Sequence, residues 1–451
     1  MRRSQTRTRF GLSGALLAIY GFCAGLLSPS SAQDETVGGT EVRSLIAHGG
    51  KLYAGNGYWE DQSEGSRGAE ILVLDQPGGR WRVDHAFDER MPSGRARHIA
   101  IATMGNAEFA TDANGEPLAE PVSILLASTW DLSGEVKVYA RDDATGEWTG
   151  ETLARDQRIP GVRDLAQVRS FGSHRDRVTG IDYAFAGHDP HGIFSGVYDP
   201  TVPGRIRWGQ TPELDLSGLS SAAAGVRELR VASFAECNGR LYATVGQQIY
   251  ERTDGPAPQW RLIYANRNPG RSETGLRGLT AVPSPAGQGQ ALIAAVEGSA
   301  ARIVRIDPRD GSEATELDLR DYLGKAWGMD VGYIIAAYNN MAKVRDSQGE
   351  DVLLIGFEAF IPPTSQVADG HRVADAGKGR LEGDAWYLIR HSNGSYDLRR
   401  VPPRPGQPMV STRSILASGN AVYFAGFDAN KAPAHDTAWI VQSTIGEAIG
   451  R

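Results

Sequence analysis

Six arginines share one local pattern, in which an apolar residue follows two positions after the arginine. They are Arg43, Arg97, Arg169, Arg227, Arg277 and Arg413. The steps between them are 54, 72, 58, 50 and 136 residues, so the last step is about twice the others. The planar guanidinium group donates paired hydrogen bonds to carboxylate, sulfate or phosphate. Arginines gathered at one place would therefore bind an anion.

A second set of chemistry-bearing residues is the dense cluster His188, Asp189 and His191. A metal needs three or four such groups converging on it, and the alternative is a polar loop braced by its own side chains. Histidine also titrates near neutral pH, so His188 or His191 could act as general acid or base, with Glu60 or Asp131 as the carboxylate. The sequence contains no nucleophile elbow, phosphate loop or metalloprotease motif. We assign no metal and no cofactor.

The spacing of the arginines indicates a repeat architecture, and the elements between them predict what each repeat contains. After Arg43, short alternating segments are separated by Gly, Asp and Pro turns, which is typical of strands and hairpins. The third strand, a turn and a fourth strand recur along the chain, often with a large aromatic residue after the turn. These residues are Trp81, Trp148, Trp208, Trp260 and Tyr396. We expect them to be half-buried against a neighbouring sheet.

Second strands recur seven times, so we predict an all-β fold, a seven-bladed β-propeller of four-stranded antiparallel blades. The expected arginine-free first strand, Gly332–Tyr338, lies in the long gap before Arg413. The last unit lacks a fourth strand, and we expect Thr36–Glu41 to supply it. The predicted units of one domain spanning 33–451 are 43–90, 95–155, 163–216, 226–268, 275–323, 326–403 and 410–451, the last closed by 35–42.

Two kinds of segment carry a resemblance to a known family. The stretch KLYAGNG, beginning at Lys51, looks like the second strand of a kelch-type repeat, and the stretches ILVLDQPGGRW and VKVYARDDATGEWTGETL look like its closing hairpins. The chain thus resembles kelch-like seven-bladed propellers over most of its length. The resemblance implies architecture alone, because propellers host many unrelated functions.

In such a fold the loops that enter the first strands and the loops that join strands two and three open on one face. The first kind carries the arginines, and the second carries acids and aromatics such as Glu297, Glu358, Trp59 and Trp130. His98 and His435 could approach the same face as the His188 cluster. One face would then present a ring of arginines near the axis, where ligands gather. The alternative is structural: each arginine braces an acid on the adjacent blade. Trp59 and Trp130 could stack on a ligand or pack between blades.

Two stretches outgrow the repeat, Asn106–Pro121 and Ile361–Asp384, and we expect both to be irregular insertions. Loops of this length are usually functional or disordered. The first contains Asp112 and Asn114 in a spacing that superficially resembles a calcium loop. It lacks the spaced carboxylates and terminal Glu of such a loop, so we interpret it as an Asx turn.

The first 32 residues differ from the rest of the 451-residue chain. Four arginines precede a mostly apolar stretch, and Ser30 and Ala32 suit a cleavage site after residue 32, which predicts a secretory signal peptide. Its removal changes the net charge from −7 to about −11, which argues against a nucleic-acid partner. Cys237 is then the single remaining cysteine, so no intrachain disulfide can form. We expect a secreted or periplasmic protein with no membrane span after cleavage.

Two functions remain open at this point. The first is a binding propeller that holds an anionic small molecule, a glycan or a protein segment at the channel mouth through the six arginines, Trp59 and Trp130. The second is a propeller enzyme, a lyase or hydrolase acting on anionic glycans or esters. An enzyme predicts one asymmetric pocket with titratable groups of shifted pKa beside arginine, whereas a binder predicts a shallow and symmetric mouth.

Overall fold

The computed structural model describes residues 39–58, 67–155, 167–189, 191–346, 348–362, 385–403, 408–428 and 437–450. The predicted signal peptide, Trp59, Glu60, His435 and most of the second insertion lie outside these ranges. Among the described residues, no helix is long and apolar enough to cross a membrane.

The strands fall into consecutive antiparallel groups, each an up-and-down meander. Group 1 contains β1 (Glu41–His48), β2 (Lys51–Gly57), β3 (Glu70–Leu74) and β4 (Arg82–Ala86). Group 2 contains β5 (His98–Thr111), β6 (Pro117–Asp131), β7 (Glu135–Arg141) and β8 (Trp148–Arg155). Group 3 contains β9 (Gln167–Arg175), β10 (Asp182–Asp189), β11 (Gly192–Tyr198) and β12 (Ile206–Trp208), with β13 (Leu214–Asp215) also paired to β11.

Group 4 contains β14 (Val231–Cys237), β15 (Arg240–Val245), β16 (Gln248–Thr253) and β17 (Gln259–Ala265). Group 5 contains β18 (Leu276–Pro283), β19 (Gln290–Val296), β20 (Arg302–Ile306) and β21 (Glu313–Asp318), followed by helix α1 (Leu319–Trp327). Group 6 contains β22 (Ile334–Ala336), β23 (Ala342–Arg345), β24 (Asp351–Ala359), β25 (Trp386–Arg390) and β26 (Tyr396–Arg400). Group 7 contains β27 (Ser411–Ser418), β28 (Ala421–Phe427) and β29 (Ala438–Thr444), followed by helix α2 (Ile445–Ala448).

The result is an all-β, propeller-like arrangement of four-stranded antiparallel blades, and the prediction of seven regular blades is corrected. Within the described ranges, groups 1 to 5 are the five regular blades. In group 6 the inner strand is broken, so β22 and β23 both pair with β24. The predicted strand Gly332–Tyr338 is therefore reduced to Ile334–Ala336. Group 7 shows three strands among the residues the structure describes.

The predicted closing strand stays a prediction over most of its length, and Glu41 at its end begins the inner strand β1 of group 1. The Gly39 carbonyl accepts hydrogen bonds from the Thr437 and Ala438 amides at the start of β29. Residues 35–38 lie outside the described ranges. Group 1 nevertheless packs on group 7, since the Leu45 amide donates to Ser414 Oγ at 3.1 Å. The succession of groups thus closes on itself.

Buried apolar clusters lie between neighbouring groups and hold them together. One encloses Val42 and Leu72 of group 1 with Ile440 of group 7, and corresponding clusters join each later pair. Close approach of backbones is needed at these seams. At Gly187 a Cβ would lie 2.6 Å from Val231 Cγ1, so only glycine fits there.

A polar belt reinforces the outer part of several seams. Arg141, Arg252 and Arg390, all on third strands, pair with Asp84, Glu213 and Glu316 of the preceding group at 2.7–3.0 Å. Trp148 and Trp260 donate their indole N–H to the first two of these acids, both at 2.9 Å, and the Tyr396 hydroxyl donates to the third at 2.8 Å. The expectation of half-buried aromatics is confirmed at these three positions and is wrong for Trp81 and Trp208, which are buried. This outer belt uses these third-strand arginines, whereas among the six arginines of the repeat pattern Arg413 joins neighbouring groups through Glu41 and Glu358.

The first insertion is ordered, contrary to expectation. Strands β5 and β6 extend to 14 and 15 residues, so the stretch from Asn106 onward is a long hairpin. Asp182 of group 3 fixes it by accepting a hydrogen bond from the Ala110 amide at 2.6 Å. At its tip Asp112 Oδ1 accepts the amides of Asn114 and Glu116, which confirms the Asx turn.

Candidate functional site

Three arginines of the repeat pattern reach the centre of the ring because each sits at a β-bulge. The pairing register of β1 skips Arg43, that of β9 skips Arg169 and that of β27 skips Arg413. The extra residue of a bulge is unpaired, and the bulge redirects its side chain. In each inner strand the bulge therefore aims a long cation away from the blade and toward the axis.

A serine follows each of these arginines, and two of the three serines bind the next group of strands. Ser414 Oγ accepts the Leu45 amide of group 1, and Ser170 Oγ donates to the Val231 carbonyl of group 4 at 2.7 Å. The Arg-Ser dipeptide thus couples the axial side chain to the seam with the next group. It also distinguishes Arg43, Arg169 and Arg413 from the other three arginines, a signal that the sequence contained.

Tyr338 occupies the centre of the arginine cluster, and sequence reasoning did not single it out. It lies in the segment 337–341 that interrupts the inner strand of group 6, between the pairs Ala336–Phe357 and Ala342–Leu354. Group 6 is the one whose first strand was expected to lack arginine. Group 6, whose first strand lacks an arginine of the repeat pattern, therefore supplies the aromatic ring of Tyr338, and arginines of other groups surround this aromatic ring.

Four guanidinium groups surround the Tyr338 ring. Their carbon atoms lie 4.3 to 5.6 Å from its centroid, in the order Arg413, Arg277, Arg169 and Arg43. Arg43 Nη2 donates to the Tyr338 hydroxyl oxygen at 2.5 Å, and Arg277 Nη1 donates to its carbonyl at 3.1 Å. We call Tyr338 and these four arginines the axial cluster. Each side chain sits at a face of the ring where its charge is attracted.

Carboxylates balance the axial cluster incompletely. Glu41 pairs with Arg413 at 2.7 Å and lies 3.8 Å from Arg43, and Glu358 pairs with Arg413 at 2.9 Å. Glu297 pairs with Arg277 and accepts the Tyr333 hydroxyl. The expectation that Glu297 and Glu358 lie near these arginines is thereby met. Four arginines face three carboxylates among the described residues, which leaves one positive charge.

Several N–H groups of the cluster are buried without a hydrogen-bond partner in the structure. They are Arg43 Nε and Nη1, Arg169 Nε, and Arg413 Nε and Nη1. Arg413 Nε lies 2.7 Å from Glu41 Oε1, so its charge is paired although the two atoms lack hydrogen-bond geometry. Arg169 is 2% exposed, and its Nη1 donates to the Ala102 carbonyl at 3.4 Å. Buried donors are normally satisfied, so these N–H groups retain the capacity to bind a further acceptor. Arg413 and Tyr338, at 8% and 7%, retain slight contact with solvent.

The electrostatics of the cluster shift two pKa values. Burial acts to raise the pKa of Tyr338, but the charges of Arg169, Arg43 and Arg413 outweigh burial and bring it to about 7. Burial and the charges of neighbouring arginines together lower the pKa of the Arg169 guanidinium to about 9, against the opposing effect of Tyr338. Both shifts have the sign expected where positive charge is in excess.

Arg97 and Arg227 do not join the axial cluster, which corrects the expectation of a six-membered ring. In β5 and β14 the bulge positions, which correspond to Arg43 in β1, are occupied by Ala102 and Ala232. Arg97 and Arg227 each lie five residues before these positions. Arg97 pairs with Asp131 at 2.7 Å, and Arg227 is 64% exposed beside Glu273. Arg277 reaches the cluster from one residue before its bulge.

The proposed histidine centre stays a prediction, because Glu60 lies outside the described residues and Asp131 has other partners. His188 and His191 stack with centroids 5.0 Å apart, while Asp131 is held by Arg97 and by the Ser133 amide. His98 is buried against Thr129, and burial lowers its pKa. Within the described residues no group of three or more His, Cys, Asp or Glu side chains could hold a metal. For Asp189 only the backbone position at the end of β10 is described.

Of the two tryptophans predicted to contact a ligand, only Trp130 lies within the described residues. Trp130 lies beside the axial cluster, with the Arg43 guanidinium carbon 5.9 Å from the centre of its ring. Trp59 and Glu60 lie outside the described residues, so their placement is untested. Trp130 thus remains a candidate for ligand contact at the cluster.

Comparison with known proteins gives no family. No family model and no curated protein matches the chain, so the kelch resemblance gains no support. Solved structures with a related fold include the BP39L lectin from Burkholderia pseudomallei, with a TM-score of 0.48, 10% identity and coverage of 90% of this chain and 96% of the lectin.

Two longer proteins also match. A sialidase from Trypanosoma rangeli has a TM-score of 0.39 and 12% identity over 91% of this chain, and a puromycin hydrolase has 0.42 and 13% over 93%. The match spans about half of each of these chains, at 55% and 54%. At such identities and scores the likenesses say nothing about activity.

Proposed function

We propose that this protein binds a small monoanion, with a carboxylate as the favoured chemistry, in the axial cluster. The observation that carries the proposal is the set of unpaired, buried N–H groups on Arg43, Arg169 and Arg413. A guanidinium group with free donors in a low-dielectric setting binds a carboxylate strongly, because no water competes for it.

The charge of the cluster supports a monoanion over a more highly charged ligand. Four arginines and three carboxylates leave a single positive charge, so one negative charge balances the site. Burial supports a small ligand over a glycan or protein segment, because every arginine of the cluster is at most 8% exposed. The free Arg413 donor and the slight exposure of Tyr338 favour approach from that side.

The structural alternative accounts for part of the cluster. Arg413 does brace neighbouring groups through Glu41 and Glu358. Arg169 has no carboxylate partner among the described residues, and Arg43 has only the distant Glu41. A purely bracing role would leave these two buried cations poorly compensated, at a cost of several kcal/mol.

The test compares acetate with its neutral isostere acetamide, by calorimetric titration at pH 6 in chloride-free buffer. Acetate should bind and acetamide should not. Arg43→Met should weaken acetate binding about 10- to 100-fold, the range for losing hydrogen bonds to a charged group. Arg227→Met removes an arginine of the same sequence pattern from outside the cluster and should leave binding within about twofold. Equal binding of acetate and acetamide, or full affinity in a folded Arg43→Met protein, would refute the proposal.

The enzymatic alternative gains no support from the contacts of its named residues. Asp131 is committed to Arg97, and His188 is fully buried in a stack with His191. We therefore do not pursue a lyase or hydrolase centred on these residues.

We further propose that the seven strand groups together form the ring, and that the mature chain begins after residue 32 and works in the periplasm or outside the cell. The packing of group 1 on group 7 supports the ring, and the basic and apolar start of the chain supports export. Amino-terminal sequencing of the protein isolated from its host would test the second point.

A further inference from the structure

The axial cluster has two ways to balance its surplus charge, and they exclude each other. With Tyr338 as a phenol, four arginines and three carboxylates leave one positive charge, which an external monoanion can neutralise. With Tyr338 as a phenolate, the cluster is already neutral. A second anion would then add an uncompensated negative charge to a buried site, which is unfavourable.

We propose, resting on the function above, that the Tyr338 phenolate is the built-in counterion of the axial cluster, and that an external monoanion binds only as Tyr338 takes up one proton. The reaction is balanced: the carboxylate enters, one proton from water is transferred to the Tyr338 oxygen, and no other bond changes. Ligand binding is thereby coupled to pH.

The geometry around the hydroxyl supports a phenolate when no external anion is bound. Arg43 Nη2 donates a hydrogen bond to the Tyr338 oxygen, and a hydrogen bond from a cation favours the charged form of its acceptor. Three further guanidinium carbons lie within 5.1 Å of the ring centroid. Positive charges this close to a buried phenol favour the phenolate.

The charged groups that face Tyr338 come from four of the inner strands. They are Glu41 and Arg43 on β1, Arg169 on β9, Arg277 on β18 and Arg413 on β27, with Glu297 and Glu358 paired to the last two. Of these, Glu41 disfavours the phenolate, and Arg169, Arg43 and Arg413 favour it. The balance places the pKa of Tyr338 at about 7, within the working range of a pH-dependent site.

The coupling has a definite magnitude. When only the protonated form binds, the apparent dissociation constant is the intrinsic one divided by the protonated fraction. With a pKa of about 7, affinity is nearly constant below pH 6, and its fall approaches tenfold per pH unit above about pH 8. Between pH 5.5 and 8.5 we expect a loss of about 30-fold. Acetate stays ionised across this range, so the ligand itself contributes no pH dependence.

The experiment titrates acetate into the wild-type protein and Tyr338→Phe at pH 5.5, 7 and 8.5 in chloride-free buffers of different ionisation enthalpy. We expect the wild-type affinity to fall about 30-fold, and close to one proton to be taken up per acetate at pH 8.5. Absorbance of tyrosinate near 295 nm should decrease as acetate binds. Tyr338→Phe should bind acetate with nearly the same affinity at all three pH values and without proton uptake.

The outcomes separate this inference from the proposed function. Acetate binding that is equally strong at pH 5.5 and 8.5, or that leaves the tyrosinate absorbance unchanged, overturns the coupling while leaving anion binding intact. Absence of acetate binding at every pH overturns both. If Tyr338→Phe fails to fold, the proton count and the tyrosinate signal of the wild-type protein decide the question alone.

Discussion

Replacing Arg252 by methionine should be among the most damaging single changes to this fold. Its guanidinium group is fully buried and pairs with Glu213 at 2.7 Å, Asp254 at 2.8 Å and Asp176 at 3.0 Å. Glu213 and Asp176 belong to group 3, whereas Arg252 lies on β16 of group 4. Its carbon atom also lies 5.2 Å from the centre of the Tyr183 ring. One side chain thus joins two groups of strands.

Removal of Arg252 leaves three largely buried carboxylates without their shared cation. Removing one partner of a buried ion pair lowers the free energy of unfolding by about 3–5 kcal/mol, because the remaining charge is buried away from water without compensation. Unfolding entropy is about 2.1 cal/mol/K per residue, or roughly 0.8–0.9 kcal/mol/K for some 400 residues, so the melting temperature should fall by about 4–6 °C.

The assay is differential scanning calorimetry at pH 7.5 and at pH 4. Burial would raise the pKa of Asp176, but backbone amides and Arg252 hold it well below its usual range in the wild-type protein. Its contribution to stability is present at neutral pH and is lost as pH falls toward that lowered value. In the variant the orphaned carboxylates protonate more readily, so the difference in melting temperature should shrink at pH 4.

Arg261→Met is the matched control, since Arg261 lies on the next strand and is 66% exposed while paired with Glu251. An exposed pair contributes about 0–1 kcal/mol, so the melting temperature should change by about 1 °C or less. Equal effects of the two substitutions, or an Arg252→Met difference that grows at pH 4, would refute the reasoning.

Three further predictions concern other parts of the fold. Burial acts to lower the pKa of His174, but Glu236 and Asp254, at 2.5 and 2.9 Å, outweigh burial and raise it. The stability that the charged His174 adds to the fold is present below its ordinary pKa and is lost as pH rises through the raised value. The melting temperature of the wild-type protein should therefore exceed that of His174→Gln by less at pH 9 than at pH 6, and a constant difference would contradict this. Gly187→Ala should lower the free energy of unfolding by about 1–3 kcal/mol through overpacking, because the new Cβ would lie 2.6 Å from a Val231 methyl. The control Gly218→Ala has open space around the new Cβ and should unfold at the wild-type urea midpoint. Burial raises the pKa of the fully buried Cys237 thiol to about 11, so a disulfide reagent should label it at pH 8 only after denaturation, and rapid labelling of the native protein would contradict the placement.

Much of the local structure could be predicted from the sequence. Gly and Asp turns between alternating segments identified most hairpins, because turn conformation depends on a few adjacent residues. The Asx turn at Asp112 and the half-buried positions of Trp148, Trp260 and Tyr396 were predicted for the same reason. The number of regular blades was overestimated, since the broken inner strand of group 6 retains an apolar pattern on either side of Tyr338.

The sequence could not identify the members of the axial cluster from spacing alone. Arg97 shares the local pattern of Arg43, yet it lies five residues from the matching place. A single-residue bulge reverses the direction of a side chain, and the register that creates the bulge depends on the partner strand. The serine after Arg43, Arg169 and Arg413 was the one local signal that separated them.

The sequence by itself determined the all-β character, the turns and the supply of arginines at inner-strand positions, because these depend on short-range preferences of the chain. Only the tertiary structure decided that four of those arginines meet around Tyr338. Arg43 and Tyr338 are 295 positions apart, and their contact exists because the ring of strand groups closes. The pKa of Tyr338 is likewise a property of the assembled ring, since the charges that lower it come from three separate groups of strands.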